Sequence, residues 1–321
     1  MQKIYISSEL PGNSVDRLRT KYDVLVHSGD RHPSRSEFLF GARGSHALIT
    51  MVSDSVDEQV IDSCPELKIV SNCGVGFENI DIPYATEKGV FVTNTPDVLT
   101  ETTADLAWAL MFSVARKVID GDFHVREGRF TCWHPSLLLG MDIHKKTLGI
   151  YGMGRIGTAV GKRARGFNMR VLYHNRNRNH EGERDTGATF VDFPTLLEKS
   201  DYIVIAAPLN EESDGRFGLD EFKQMKPTSI IVNIARGQII KEDELAAALD
   251  MENIWGAGLD VYENEPLVDK KLKELNNVVL LPHIGSASYE TRVRMVDLAV
   301  ESVESALNGG VPTHLVNTEV K

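Results

Sequence analysis

Cysteine is scarce. Cys64, Cys73 and Cys132 are the only three in 321 residues, and no two stand at CxxC spacing. An odd, sparse set frames neither a disulfide network nor a zinc site, and it points to a reducing compartment, the cytoplasm. No apolar run approaches the roughly 18 residues of a membrane span. The first residues, Met1 to Ile6, pass straight into a strand-like run without a charged-then-apolar secretory pattern. Basic charge is also short: 35 Lys and Arg against 46 Asp and Glu leave a net −11. Without a basic stripe the chain is a poor partner for nucleic acid or an anionic membrane. There is no clustered metal-ligand pattern, no repeat of solenoid period and no low-complexity tract. What remains is a chain whose 42% hydrophobic residues suffice for two buried cores.

The hydrophobic residues fall in a rhythm of short β-branched runs, polar or Gly/Pro punctuation, and helical stretches. That alternation predicts parallel sheets with helices on both faces. Lys3–Ser7, Ala47–Met51, Leu67–Ser71 and Val90–Thr93 form a first series of strands. Leu148–Tyr151, Arg170–Tyr173, Tyr202–Ala206, Ser229–Asn233, Gly256–Asp260 and Val278–Leu281 form a second. Between them Leu106, Leu110, Val114 and Val118 recur every four residues, predicting one helix from Thr102 to about Glu127. Thr102-Thr103-Ala104-Asp105 reads as its capping box. Hinges are expected at Asn94–Thr100, which contains Pro96, and near Ser286–Tyr289. A last helix at about Tyr289–Leu307 would cross back onto the first domain. The expected domains are thus 1–99 with 288–321, and 100–287.

The sharpest motif is Gly152-Met153-Gly154-Arg155-Ile156-Gly157, between the strand Leu148–Tyr151 and a helical stretch Thr158–Phe167. Gly152 permits a tight turn, Gly154 lets the backbone approach a pyrophosphate, and Gly157 lets helix and strand pack closely. The anion then meets the unpaired N–H groups of a helix N-terminus. Folds of this type that use NAD place an acidic residue about 20 positions further on, for the ribose 2′-OH. Here another absence is informative: from Ile143 to His180 there is no Asp or Glu, and the second strand runs into His174-Asn175-Arg176-Asn177-Arg178. Arg176 and Arg178 suit a 2′-phosphate, so NADP(H) is the expected cofactor. The alternative leaves both arginines in a solvated turn, with Asn175 holding NAD(H).

Three further segments each follow a predicted strand, where open α/β sheets bind ligands. They are Asn233-Ile234-Ala235-Arg236-Gly237, then Gly258 to Pro266 with Asp260 and Glu265, then Pro282-His283-Ile284-Gly285-Ser286. Singly, Arg236, Glu265 and His283 read as a surface charge, a turn residue and a packed loop histidine. Occurring together, in this order and each after a strand, they are much harder to dismiss.

With these segments, Gly74-Val75-Gly76 and Thr100–Trp108, nearly the whole chain resembles the D-isomer-specific 2-hydroxyacid dehydrogenases. Within them it is most similar to the glyoxylate/hydroxypyruvate (and 2-ketogluconate) reductases. The resemblance implies two doubly wound parallel-sheet domains, a flavodoxin-like substrate domain and a Rossmann cofactor domain, with a cleft between them. It implies hydride reduction of a 2-oxo acid, with Arg236 as binder of the substrate carboxylate and of the charge developing on the carbonyl oxygen, Glu265 as the partner that keeps the histidine protonated, and His283 as acid/base. It implies substrate contacts at Val75, Gly76, Leu99, Ser286 and Trp133, the last in related reductases reaching in from a neighbouring subunit. Burial of Trp133 in a dimer interface without substrate contact is the competing reading. Cofactor contacts are implied at Thr103, the glycine loop with Arg155 and Ile156, Pro208, Ile234, Asp260, His283 and Gly285. A homodimer is expected on the resemblance alone. Phe77 is a further candidate for shaping the pocket, and nothing near Cys73 in sequence activates it as a nucleophile.

Other members of the same family act on 3-phosphoglycerate, D-lactate or hydroxyphenylpyruvate. Cys73–Ile80 and Asp97–Thr103 hold no Lys or Arg to meet a phosphate, and Glu265 stands where formate dehydrogenases carry Gln. Corepressors that resemble these enzymes keep the same constellation. Against that reading, no disordered docking tail is expected before Lys321 or at the N-terminus. Turnover of glyoxylate separates the two.

Overall fold

The structure, a computed structural model, describes residues 1–29 and 31–320. The chain forms two compact units, Met1–Leu99 with Ala287–Lys321, and Thr100–Ser286.

In the first unit, β1 (Lys3–Ile6), β2 (Asp23–Val26), β3 (Ala47–Met51), β4 (Ile69–Cys73) and β5 (Phe91–Thr93) form one parallel sheet in the order β2-β1-β3-β4-β5. Ile4, Ile6, Ile49 and Ile69 on one face pack against the helix Tyr289–Leu307, which contributes Val296, Ala299, Val300, Val303 and Leu307. That spacing places an apolar stripe along one side of the helix. Each of these isoleucine, valine and leucine side chains, buried, stabilises the unit by about 1.5–3 kcal/mol, and the single methyl of Ala299 by less than about 1 kcal/mol. Tyr5, Leu48, Val70 and Val92 face the opposite core. The helix begins on Ser288, whose Oγ accepts the Thr291 N–H at 3.2 Å.

In the second unit, β6 (Thr147–Tyr151), β7 (Arg170–His174), β8 (Thr189–Phe190), β9 (Tyr202–Ile205), β10 (Ile230–Asn233), β11 (Gly256–Leu259) and β12 (Val278–Leu280) form a seven-stranded parallel sheet. Its order is β12-β11-β10-β9-β6-β7-β8. The strands run outward from β6 in one direction and then from β9 in the other. The chain therefore reverses between these neighbours, the place where open sheets of this class bind ligands.

Four expectations need correction. Among the described residues the first unit has five strands and the second seven, because β2 and β8 escape a reading by apolar runs. β2 alternates exposed and half-buried residues and β8 has only two residues. The helix expected from Thr102 to Glu127 is two helices, Thr100–Ala115 and Val118–Arg126. Met141 N–H donates to the Ala115 carbonyl at 2.7 Å, taking the acceptor that a continuing helix needs, and Lys117 turns to φ +51°. Helix Thr100–Ala115 already includes Thr102, so Thr102 is no cap. The helix after the glycine loop starts at Arg155 and ends at Ala164, with 165–167 a 3₁₀ turn. Among the described residues no helix is long and apolar enough to cross a membrane, and no cluster of His, Cys, Asp or Glu suits a metal ion.

Candidate active site

Parallel register aligns the ends of three neighbouring strands. Asn233 of β10 pairs with Leu259 of β11, and Leu259 with Leu280 of β12. The residues that follow, Arg236, Asp260 and His283, therefore leave the sheet at one edge. His283 Nδ1 lies 2.7 Å from Glu265 Oε2. Glu265 Oε1 accepts the Tyr262 N–H at 3.1 Å, which fixes the carboxylate at both oxygens. Burial works to raise the Glu265 carboxyl. The hydrogen bond and charge of His283, helped by the Tyr262 N–H, outweigh it and hold the group below the usual carboxylate range. This anchor is lost only as pH falls through that depressed value. With Nδ1 engaged, Nε2 is the nitrogen left for a substrate.

His283 sits at φ +53°, a left-handed conformation uncommon for a residue other than glycine. Asp260 holds it there. Its carbonyl accepts the His283 N–H at 2.9 Å, and its two carboxylate oxygens accept the N–H groups of Ile284 and Gly285, each at 2.7 Å. Desolvation pushes the buried Asp260 carboxyl up despite these donors. The Arg236 loop is braced likewise by buried Asn233, whose Oδ1 accepts the Ala235 N–H at 3.0 Å and whose Nδ2 donates to the Arg236 carbonyl at 2.8 Å. Arg236 Nη1 donates to the Ala235 carbonyl at 2.7 Å. Gly237 is obligatory, since a Cβ there would lie 1.8 Å from the Tyr262 carbonyl carbon. Sequence reasoning missed Asn233 as a brace; a polar residue ending an apolar strand is its only signal.

The glycine loop leaves β6 beside β9. Gly152 has φ +102°, and a Cβ would lie 2.3 Å from the Ala207 nitrogen. A Cβ on Gly157 would lie 2.2 Å from the Gly152 oxygen, whereas one on Gly154 meets nothing within 4 Å. Helix Arg155–Ala164 starts on Gly154 with no side-chain cap. Open space above Gly154, facing an uncapped helix start, fits a dinucleotide pyrophosphate. Gly285 packs against Asp260 and Thr103, the latter buried in the first turn of its helix.

The loop after β7 departs in part from expectation. Arg178 gives two hydrogen bonds to Glu183, at 2.7 and 3.0 Å, and Glu183 also accepts the Tyr173 hydroxyl at 2.6 Å. The Asn175 amide is engaged with the backbone of Met153, its Oδ1 accepting the N–H at 2.6 Å. Asn179 Nδ2 donates to the Met153 carbonyl at 2.7 Å. Arg176 is exposed and makes no ion pair among the described residues.

Ile234 is buried, Ser286 half-buried and Trp133 79% exposed. In the first unit Leu99 is buried, and the loop 74–76 follows β4. Cys73 is buried and its thiol is pushed up to about 12, chiefly by desolvation, which leaves it protonated and unsuited to attack.

Residues 108–285 match the family model described as D-isomer specific 2-hydroxyacid dehydrogenase, NAD binding domain. The chain belongs to this family. It is accordingly an oxidoreductase built on a nicotinamide-dinucleotide domain. Over 99% of the chain it is 45% identical to a glyoxylate reductase of Thermococcus onnurineus (strain NA1), covering 96% of that protein. The structure of a glyoxylate reductase from Paecilomyes thermophila superposes with a TM-score of 0.86 at 33% identity, covering all of this chain and 99% of that one. The NADPH-dependent glyoxylate/hydroxypyruvate reductase of Sinorhizobium meliloti, in complex with NADP and malonate, gives 0.86 at 29% identity, covering 99% and 97%.

Proposed function

We propose that this family member is an NADP(H)-preferring reductase of small 2-oxo acids, with glyoxylate and hydroxypyruvate as substrates and 2-ketogluconate as a larger one, giving D-2-hydroxy acids. The observation that carries this reading is the 2.7 Å His283–Glu265 pair on a loop braced by Asp260, at the strand edge that also bears Arg236. When bound, the nicotinamide supplies the hydride to C2. The N–H groups of Val75 and Gly76 hold the substrate carboxylate. Arg236 shares that charge and meets the negative charge growing on the carbonyl oxygen. His283 donates its Nε2 proton to that oxygen and takes it back in the oxidation direction. Glu265 favours the protonated ring. Leu99, Ser286 and Trp133 shape the pocket.

NADP(H) preference rests on Arg176, the exposed cation of a loop without a carboxylate that would repel a 2′-phosphate. Arg178, engaged by Glu183, steadies the loop. Exposed Phe123, Val125, Phe130, Trp133 and Leu139, within the 17 residues from 123 to 139, support a homodimer. Sedimentation at a monomer mass would sink that part of the reading.

The test is nicotinamide absorbance with NADPH or NADH against glyoxylate, hydroxypyruvate, 2-ketogluconate, pyruvate and phenylpyruvate, for wild type and His283→Ala. Faster NADPH oxidation with glyoxylate or hydroxypyruvate is expected, and a loss of about 10²–10⁴-fold in the variant with cofactor binding kept. Silence across the panel with cofactor bound would reject the substrate class and favour a cofactor-binding scaffold.

A further inference from the structure

The loop after β4 contains no Lys or Arg: it reads Gly74-Val75-Gly76-Phe77-Glu78. Any attraction it has for a carboxylate must come from its peptide N–H groups, and their aim becomes decisive. Three consecutive carbonyls of this loop are tied down. Gly74 O accepts the Thr95 N–H at 2.9 Å, Val75 O accepts Asn94 Nδ2 at 2.8 Å, and Gly76 O accepts Asn72 Nδ2 at 2.7 Å. In a planar trans peptide the C=O and N–H point in opposite directions. Anchoring these carbonyls therefore turns the N–H groups of Val75, Gly76 and Phe77 away from the anchors. No acceptor among the described residues takes any of the three.

Two of the three anchors are asparagine amides, and both are held from elsewhere. Asn72 is fully buried at the end of β4, with its Oδ1 2.9 Å from the Thr50 hydroxyl of β3. Asn94 follows β5, where its own N–H donates to the His314 carbonyl at 3.4 Å. Strands β3 and β5, on either side of β4, thus set the orientation of the loop between them.

We propose that Asn94 and Asn72 are positioning residues for carboxylate recognition: by holding the carbonyls of Val75 and Gly76 they aim the N–H groups of Gly76 and Phe77, beside that of Val75 set by Thr95, at the substrate carboxylate without touching it themselves. This inference rests on the assignment of Val75 and Gly76 to the carboxylate. It identifies the recognising groups as neutral dipoles, suited to a small carboxylate and dependent on fixed backbone orientation.

The test is Asn94→Asp, which keeps the shape but turns an acceptor toward the Val75 oxygen, with Asn94→Ala as the milder change. The measurements are kcat and KM for glyoxylate with NADPH, competitive inhibition by oxalate, NADPH affinity and the thermal midpoint. For Asn94→Asp, KM and the oxalate inhibition constant should rise together by about tenfold or more, with kcat changing far less, as expected when binding common to ground and transition states is lost. Asn94→Ala should fall between Asp and wild type, and NADPH affinity should stay within about twofold in both. Both constants within twofold of wild type in folded variants would overturn the inference alone. So would a loss shared equally by NADPH binding, which marks general damage to the fold. If the wild type neither reduces glyoxylate nor binds oxalate, the carboxylate assignment fails and takes this inference with it.

Discussion

Each unit carries a Gly-X-Gly loop at the end of a parallel strand, and in both the middle residue is held by asparagine. Asn94 takes the carbonyl of Val75; Asn175 and Asn179 take the N–H and carbonyl of Met153. The loops differ in what makes the glycines necessary. Around Gly152 and Gly157 the space a Cβ needs is filled by backbone atoms, and a helix of ten residues follows at once. Around Gly74 it is filled by the Cγ1 of Val52, a side chain 36% exposed, at 2.4 Å. A site made by backbone against backbone imposes residue types that a reader of sequence can see. A site oriented by amide side chains imposes them weakly, since asparagine is common and its partners lie far along the chain.

Three experiments press on this difference. Gly154→Val should do most. Nothing lies within 4 Å of its Cβ and its extended backbone suits valine, so the fold should survive. Cofactor affinity, followed by nicotinamide fluorescence, should fall about a hundredfold, near 2.8 kcal/mol. Unchanged affinity would show that no pyrophosphate approaches there. Next comes a pair read by thermal midpoint. Gly157→Ala forces a backbone shift of the overpacking kind, about 1–3 kcal/mol, and should lower the midpoint by about 5 °C. Gly74→Ala asks only that Val52 rotate, and should cost about 2 °C or less. Equal shifts would erase the distinction between the loops. The smallest effect concerns the two arginines after β7. Arg176→Ala should weaken NADPH about tenfold and NADH hardly at all. Arg178→Ala should weaken both cofactors alike by about threefold or less, because its partner is Glu183. A selective loss of NADPH on replacing Arg178 would mean that Glu183 yields it to the phosphate.

Ten of the twelve strands among the described residues are legible as apolar runs, because a strand buried on both faces is apolar throughout. Strand β2 is not, since its exposed and half-buried residues never form a buried row, and two-residue β8 is too short to show a period. The break at Lys117 is invisible because its cause, the Met141 N–H at the Ala115 carbonyl, lies 26 residues from that carbonyl. Arg236, Glu265 and His283 stand out as residue types that match a chemistry. Asp260 and Asn233 do not stand out as braces: what they do depends on which backbone groups the strand register delivers to them.

The sequence by itself determined two parallel-sheet α/β units, the glycine turn and the residue types available for hydride and proton transfer. These follow from local hydrophobic pattern and from steric demands that only glycine meets. Tertiary structure alone decided the 2.7 Å pairing of His283 with Glu265, the left-handed backbone at His283, the engagement of Arg178 by Glu183 and the aim of the peptides at 75–77. Each of these depends on the distance and angle between groups, separated in most cases by many residues of chain. Such quantities exist only once the strands have paired in register and the cores have closed.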